Sequence, residues 1–434
     1  MATPVPRNLQ HRMAFGFLYN FIGSAFSQGS TLIANIIVSR MLGKILFGEY
    51  STILVTLTAV ANFSLLSMSS VVGKYSAEYR EKDKDLAARA ISLCSRISNA
   101  VGLIGLVLMA VLAAPVAKYV LKDEGLATPI LIGSIFVFAQ NRALFLYALM
   151  AGLEEYQPSA IASMWSGVAY VAFIVTGAHF NQLLGAVAGL SAAAVVFWLC
   201  LLSVAIPALK AHGLPKIKKL DAFEKEILVH FAMPAIASGL LLIPGFWWLA
   251  AYLFRLFGPG PAAIFSACNN IRVLILFVPL VIGVVGNSVL NNTLGTEHYH
   301  RARQLMTVAI ALFTAVVVAI VVLFGRSVLQ IFGDQYSGGY TVLVVMALST
   351  IPEALGIAFR QRINANRLIW SWFLCVVLPW QTVEFGFSLW AIPKYGAMGA
   401  AISYGAGAVV FALSSWILCL TKVVHYEPTL VSDY

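Results

Sequence analysis

Apolar runs of about 20 residues recur from one end of this chain to the other. A run of that length crosses the ~30 Å hydrocarbon core of a bilayer as a helix, where each backbone N–H and C=O is satisfied within the segment. Counting them gives roughly twelve, at approximately 14–40, 50–72, 89–115, 127–152, 159–178, 183–207, 229–255, 262–290, 304–325, 340–361, 369–391 and 397–421. The fifth and sixth are separated only by a turn at Asn181 and Gln182, and Pro352 and Glu353 interrupt the tenth. The chain therefore reads as an all-α polytopic membrane protein. Composition agrees: 60% of residues are hydrophobic, 11% are charged and the mean hydropathy is +0.87, where a soluble domain carries about 25% charged residues. The run from Ala14, preceded by Arg7 and Arg12, is too long for a signal peptide and reads as the first membrane helix.

Within these runs sit arginines. Arg96, Arg142 and Arg272 each fall well inside an apolar stretch. A charged side chain at membrane depth costs at least ~2.5 kcal/mol, so it turns toward a bundle interior or a wet cavity. Fixed positive charge in such a cavity points to an anionic cargo. Guanidinium forks match phosphate oxygens, and amide side chains match sugar hydroxyls. Amides accompany the arginines: Asn99 beside Arg96, Gln140 and Asn141 beside Arg142, Asn269 and Asn270 beside Arg272. The first helix adds Asn20, Ser24, Ser27, Gln28, Thr31 and Asn35, of which 20, 24, 28, 31 and 35 share one helical face. That face lines a lumen or, alternatively, packs helices through small polar residues.

Two carboxylates, Glu353 and Glu384, lie in the later runs. Each reads either as a proton or sodium coupling site or as a salt-bridge partner for an arginine. Two acids cannot neutralise three arginines, which leaves a net positive interior. Arg360 and Arg362 fall near a helix end, where snorkelling accounts for them. In the seventh run Pro234, Pro244 and Gly245 precede Phe246-Trp247-Trp248; Pro244 and Gly245 read as a gate hinge or as a static kink.

Loop charge sets orientation. The loops holding Lys74, Arg80, Lys82, Lys84, Lys216, Lys218, Lys219, Arg301 and Arg303 are far more basic than the opposite set, which holds Arg40, Lys44, Lys118, Lys122, Arg255, Arg326 and Lys394. Both termini are expected in the cytoplasm. The expected organisation is a six-helix bundle at 1–208, a cytoplasmic linker at 209–228 and a second six-helix bundle at 229–434. The halves carry repeat-like marks. Arg40-Met-Leu-Gly43 closes the first helix as Arg255-Leu-Phe-Gly258 closes the seventh. Gly185-Ala-Val-Ala-Gly189 and Gly396-Ala-Met-Gly-Ala-Ala401 open the sixth and twelfth. Such repeats predict a pseudo-twofold axis along the membrane normal and a substrate site between the halves.

Several classes are excluded. No G-x-x-x-x-G-K-[ST] loop is present for ATP. The five cysteines are scattered through apolar segments without a C-x-x-C pair, so neither a metal site nor a disulfide framework is expected. No cofactor is called for. The formal net charge of +10 reports loop bias, and no basic patch marks a nucleic-acid partner.

On Arg40-Met-Leu-Gly43, Phe47-Gly48-Glu49-Tyr50, Gly73-Lys74-Tyr75 and Tyr395-Gly396-Ala397-Met398-Gly399-Ala400-Ala401, the chain resembles the polysaccharide transporters of the MOP exporter superfamily. These are the Wzx-type O-antigen flippases, related to the MATE exporters. The resemblance implies a MATE-like fold in the bacterial inner membrane. It implies a non-enzymatic carrier that moves a polyprenyl-diphosphate-linked oligosaccharide from the cytoplasmic to the periplasmic leaflet by alternating access, for surface polysaccharide synthesis. Its partners would be membrane lipids, a coupling ion and other polysaccharide-assembly membrane proteins. The alternative is an ion-coupled multidrug or small-solute antiporter of the same fold. Drug-exporting relatives lean on acidic lumen residues, whereas the deep charges here are mainly positive.

Overall fold

The computed structural model of the chain describes residues 7–65, 68–80, 82–214, 244–293, 298–365 and 368–423. All regular structure among them is helical. Two compact units divide the chain, Met1–Ile243 and Pro244–Tyr434. The division falls inside the run expected as the seventh helix, and the linker expected at 209–228 is described only as far as Leu214.

The first unit contains α1 (Arg7–Leu65), α2 (Met68–Tyr79), α3 (Lys84–Pro115), α4 (Ala127–Gly152) and α5 (Tyr156–Ala211). The second contains α6 (Pro244–Phe257), α7 (Pro259–Thr293), α8 (His298–Gln330), α9 (Tyr340–Ala365), α10 (Ile369–Trp372), α11 (Leu378–Tyr395) and α12 (Ala397–Leu418). Nine helices among the described residues are long and apolar enough to cross a membrane. Two of them are broken into membrane-length halves. Gly43 (φ 73°, ψ 175°) interrupts α1, in a conformation that is essentially restricted to glycine. Asn181 and Gln182 interrupt α5, at the turn expected from sequence. Several boundaries differ from expectation. The run expected at 50–72 falls on two elements, α1 to Leu65 and α2 from Met68; α3 begins at Lys84 where 89 was expected, and α8 spans His298–Gln330 where 304–325 was expected.

Local chemistry explains the remaining ends. Asp83 caps α3 by accepting from the Leu86 N–H at 3.0 Å. Asp123 caps the short turn before α4 through the Gly125 N–H at 2.9 Å. The two halves of α5 pack backbone to backbone. A Cβ built on Gly185 would lie 1.8 Å from the Gly177 carbonyl oxygen, so only glycine lets the hairpin close. The core of the first unit gathers Met68, Val72, Ala87, Cys94, Phe145 and Leu201 from α2 to α5. That of the second gathers Leu276, Ile310, Ile357, Val376, Phe411 and Leu418. The outward faces are apolar instead of charged: on α3 Leu103, Val107 and Val111 are exposed, and on α8 Leu305, Val308 and Leu312. This inverts the soluble pattern, as a lipid solvent requires.

Candidate functional site

In the first unit α3 and α4 run antiparallel and bring two polar layers into register. Ser98 Oγ donates to Asn141 Oδ1 at 2.7 Å, and Asn141 is fully buried. One turn along, Arg142 donates from Nη1 to the Ser95 carbonyl and from Nη2 to Ser95 Oγ, each at 3.3 Å. The Arg142 guanidinium lies 4.9 Å from the Phe145 ring centroid, and its residue is 6% exposed. Its Nε is buried and has no hydrogen-bond partner. No carboxylate among the described residues pairs with it. Arg142 is thus a buried charge held only by neutral groups.

Arg96 follows Ser95 at the same level, on the exposed side of α3, with Asn99 exposed one turn on. Depth can be read from helix rise. From Arg96 to Lys118, at the far end of the same continuous helix, is about 33 Å at 1.5 Å per residue, slightly more than the ~30 Å hydrocarbon core. Arg96 lies 12 residues from the start of α3 and Arg142 15 residues from the start of α4, about 18 and 22 Å along their helices.

The polar stripe of α1 divides. Asn20 Oδ1 accepts from Tyr147 Oη at 2.7 Å and from Ser24 Oγ at 3.3 Å, which ties α1 to α4. Thr31 Oγ1 turns back to the Ser27 carbonyl at 3.0 Å. Asn35 is buried, Gln28 is exposed and Gln140 is half-buried. The residues expected to act as one face thus serve different surroundings.

The second unit holds a different arrangement. Arg272 on α7 donates from Nη1 to both Glu353 oxygens, at 3.0 and 3.1 Å, and from Nε to Asn269 Oδ1 at 2.9 Å. Tyr404 on α12 donates its hydroxyl to Glu353 Oε2 and contacts Arg272 Nη1. The Arg272 guanidinium also faces the rings of Tyr404 at 4.5 Å and Phe246 at 5.6 Å. Asn270 turns to the Ser266 carbonyl at 3.1 Å, one turn back on its own helix. Arg272 and Glu353 each lie 13 residues from the start of their helices, about 20 Å along, near mid-membrane.

Glu384 on α11 is 1% exposed, and neither of its carboxyl oxygens has a hydrogen-bond partner. Gly245 gives it room. A Cβ there would stand 2.5 Å from Gln381 Oε1 and 3.1 Å from Glu384 Oε1. Pro244, the other expected hinge residue, opens α6; Pro234 lies outside the described residues. Four partners in these networks, Ser95, Ser98, Tyr147 and Tyr404, were not singled out by sequence. Their bonds join residues 47, 43, 127 and 51 positions apart, and no local pattern signals them. No group of three or more metal-ligating side chains occurs among the described residues.

Comparison with known proteins follows the same lines. Residues 14–286 match the model of a family described as polysaccharide biosynthesis protein. Among solved structures, the chain is similar to an inward-facing multidrug resistance MATE-family transporter of the MOP superfamily, with a TM-score of 0.75, 15% identity and coverage of 93% of this chain and 98% of that one. It is similar to the lipid II flippase MurJ in an inward closed conformation, with a TM-score of 0.73, 13% identity and coverage of 93% and 87%. It is also similar to a MOP superfamily transporter from Pyrococcus furiosus described by a reversed polarity of its binding pocket, with a TM-score of 0.69, 14% identity and coverage of 95% of each chain. At these identities the likenesses establish the fold. No curated protein matches the chain.

Proposed function

Because the chain belongs to the polysaccharide biosynthesis protein family, we propose that it is a flippase. Its cargo would be a polyprenyl-diphosphate-linked oligosaccharide, moved from the cytoplasmic to the periplasmic leaflet by alternating access. The observation that carries this reading is Arg142: a buried guanidinium with an unpartnered Nε and no carboxylate partner among the described residues. A charge so placed lacks only an anion, and a diphosphate supplies oxygens in the geometry that a guanidinium fork accepts. Arg96 and Asn99 extend the site on the exposed side of α3. Asn20, Gln28, Asn35, Gln140 and Asn141 are our candidates for sugar hydroxyls.

Arg272 takes a different part in this proposal. Its charge is already balanced by Glu353, so it organises the second unit with Asn269 and Tyr404, and is not the first receptor of the diphosphate. Glu384, buried and without a bonded partner, is our candidate for coupling to a proton or sodium gradient. Multidrug export is the less favoured alternative, since cationic drugs call for unpaired carboxylates facing the cargo, and the charge left over in the first unit is positive.

The test is Arg142→Gln in the native host. Loss of a charged hydrogen-bonding group from a polar site weakens binding by roughly tenfold or more. We expect surface glycan to fall by at least about that factor while the protein reaches the membrane in normal amount. Undiminished glycan at equal protein level would remove the anion-receiving role from Arg142. Accompanying changes in drug resistance would favour the antiporter instead.

A further inference from the structure

A second basic site lies in the Pro244–Tyr434 unit, apart from the Arg272 network. Arg303 stands in the second turn of α8 and Arg362 in the last turn of α9. Arg362 Nη2 donates to Thr307 Oγ1 at 2.6 Å. Thr307 lies one turn beyond Arg303 on the same face of α8, and its own hydroxyl proton is committed to the Arg303 carbonyl at 2.9 Å. The threonine thereby fixes the Arg362 fork against the turn of α8 that carries Arg303. Cys419, just past α12, closes the cluster. Its Sγ reaches the Phe359 carbonyl at 3.6 Å, the charges of Arg303 and Arg362 both act on it, and Arg362 stacks 5.1 Å from the Phe359 ring centroid.

Two like charges are thus gathered by three helices. Snorkelling, the explanation that sequence offered for Arg362, places a guanidinium in water. Arg303 is half-buried; its Nε is buried without a hydrogen-bond partner, and no carboxylate among the described residues pairs with it. The depth is specific. Arg303 and Arg326 lie on one continuous helix about 35 Å apart, bracketing the ~30 Å hydrocarbon core, so Arg303 stands where lipid phosphates stand. On the orientation given by loop charge, that boundary is the cytoplasmic one.

We propose that Arg303 and Arg362, with Thr307 as the positioning residue, form a binding site for a phosphate-bearing anion at the membrane boundary of the second unit. Two guanidinium groups on neighbouring helices supply the N–H donors that phosphate oxygens accept. Two sources share this chemistry: the headgroup of an anionic phospholipid, and a free pyrophosphate. The site is separate from Arg142 and does not depend on the flippase reading, since its test measures no glycan transport.

The full chain, purified in a neutral detergent, is titrated with phosphatidylglycerol, with an uncharged diacylglycerol of the same acyl chains, and with inorganic pyrophosphate, and bound species are counted by native mass spectrometry. Phosphatidylglycerol is expected to bind in preference to diacylglycerol. Arg303→Gln and Arg362→Gln should each weaken that binding about tenfold or more, the loss associated with a charge-assisted bond. Arg301→Gln, exposed two residues away, should leave it unchanged. Arg303→Lys should retain part of the affinity, because the charge stays while the fork is lost. Binding of pyrophosphate with the same sensitivity assigns the site to a soluble phosphate; its absence assigns the site to the lipid. A wild-type protein that takes neither phosphate ligand overturns the proposal without recourse to any variant. So does phosphatidylglycerol binding that survives both glutamine substitutions.

Discussion

Arg142 and Arg272 carry the same charge inside comparable apolar runs, yet their surroundings assign them different work. Among the described residues Arg142 is held by Ser95 and an aromatic ring, whereas Arg272 is clamped by Glu353, Asn269 and Tyr404. Removing one member of a buried ion pair leaves the other charged in a poor solvent, at a cost of about 3–5 kcal/mol, whereas removing both costs far less. Arg272→Ala and Glu353→Ala are therefore each expected to lower thermal stability in detergent strongly, and the double variant to recover much of the loss. Additive losses would mean that the pair is not coupled. Arg142→Gln should behave otherwise, changing glycan export more than stability, because no opposite charge is stranded by it.

At the scale of elements, glycine decides where helices break and where they touch. Gly43 allows α1 to turn between two apolar runs, so that one helical element supplies two crossings. Gly177 and Gly185 let the halves of α5 meet along their backbones. A side chain at 185 would enter the space of a carbonyl oxygen that cannot move without its helix. Overpacking of a tight contact typically costs about 1–3 kcal/mol. Gly185→Leu is accordingly expected to lower the melting temperature of the purified protein and its yield in the membrane, and an unchanged melting temperature would show that the hairpin has slack. Gly177→Ala tests the same contact from the other side.

For the whole molecule, the outward faces are greasy, and each unit buries its own polar network within an apolar core. In the second unit the Arg272–Glu353 pair is internally neutral, which leaves Glu384 as a carboxyl with neither a bonded partner nor contact with water. If the transport cycle is coupled to an ion, the energy enters through a group that can change its charge, and Glu384 is placed for that. Glu384→Gln keeps shape while removing ionisation. It is expected to leave folding intact and to abolish the dependence of substrate movement on an imposed proton or sodium gradient in proteoliposomes. Retained gradient dependence would move the coupling role elsewhere.

The apolar runs by themselves determined that this chain is helical and crosses a membrane many times, because a run of that length has no other stable arrangement in lipid. They also located the turn at Asn181 and Gln182, the close of the first helix at Arg40-Met-Leu-Gly43, and the arginines and amides worth attention. Charge and burial preferences are properties of single residues, and sequence carries them directly. Partners are not. That Glu353 would meet Arg272 and Tyr404 rather than Arg360, that Arg142 would meet no acid among the described residues, and that Arg362 would reach Thr307 on α8 depended on which helices pack side by side and at what height. Those contacts join positions tens of residues apart, and only the tertiary structure decided which charge was balanced and which was left to wait for an anion.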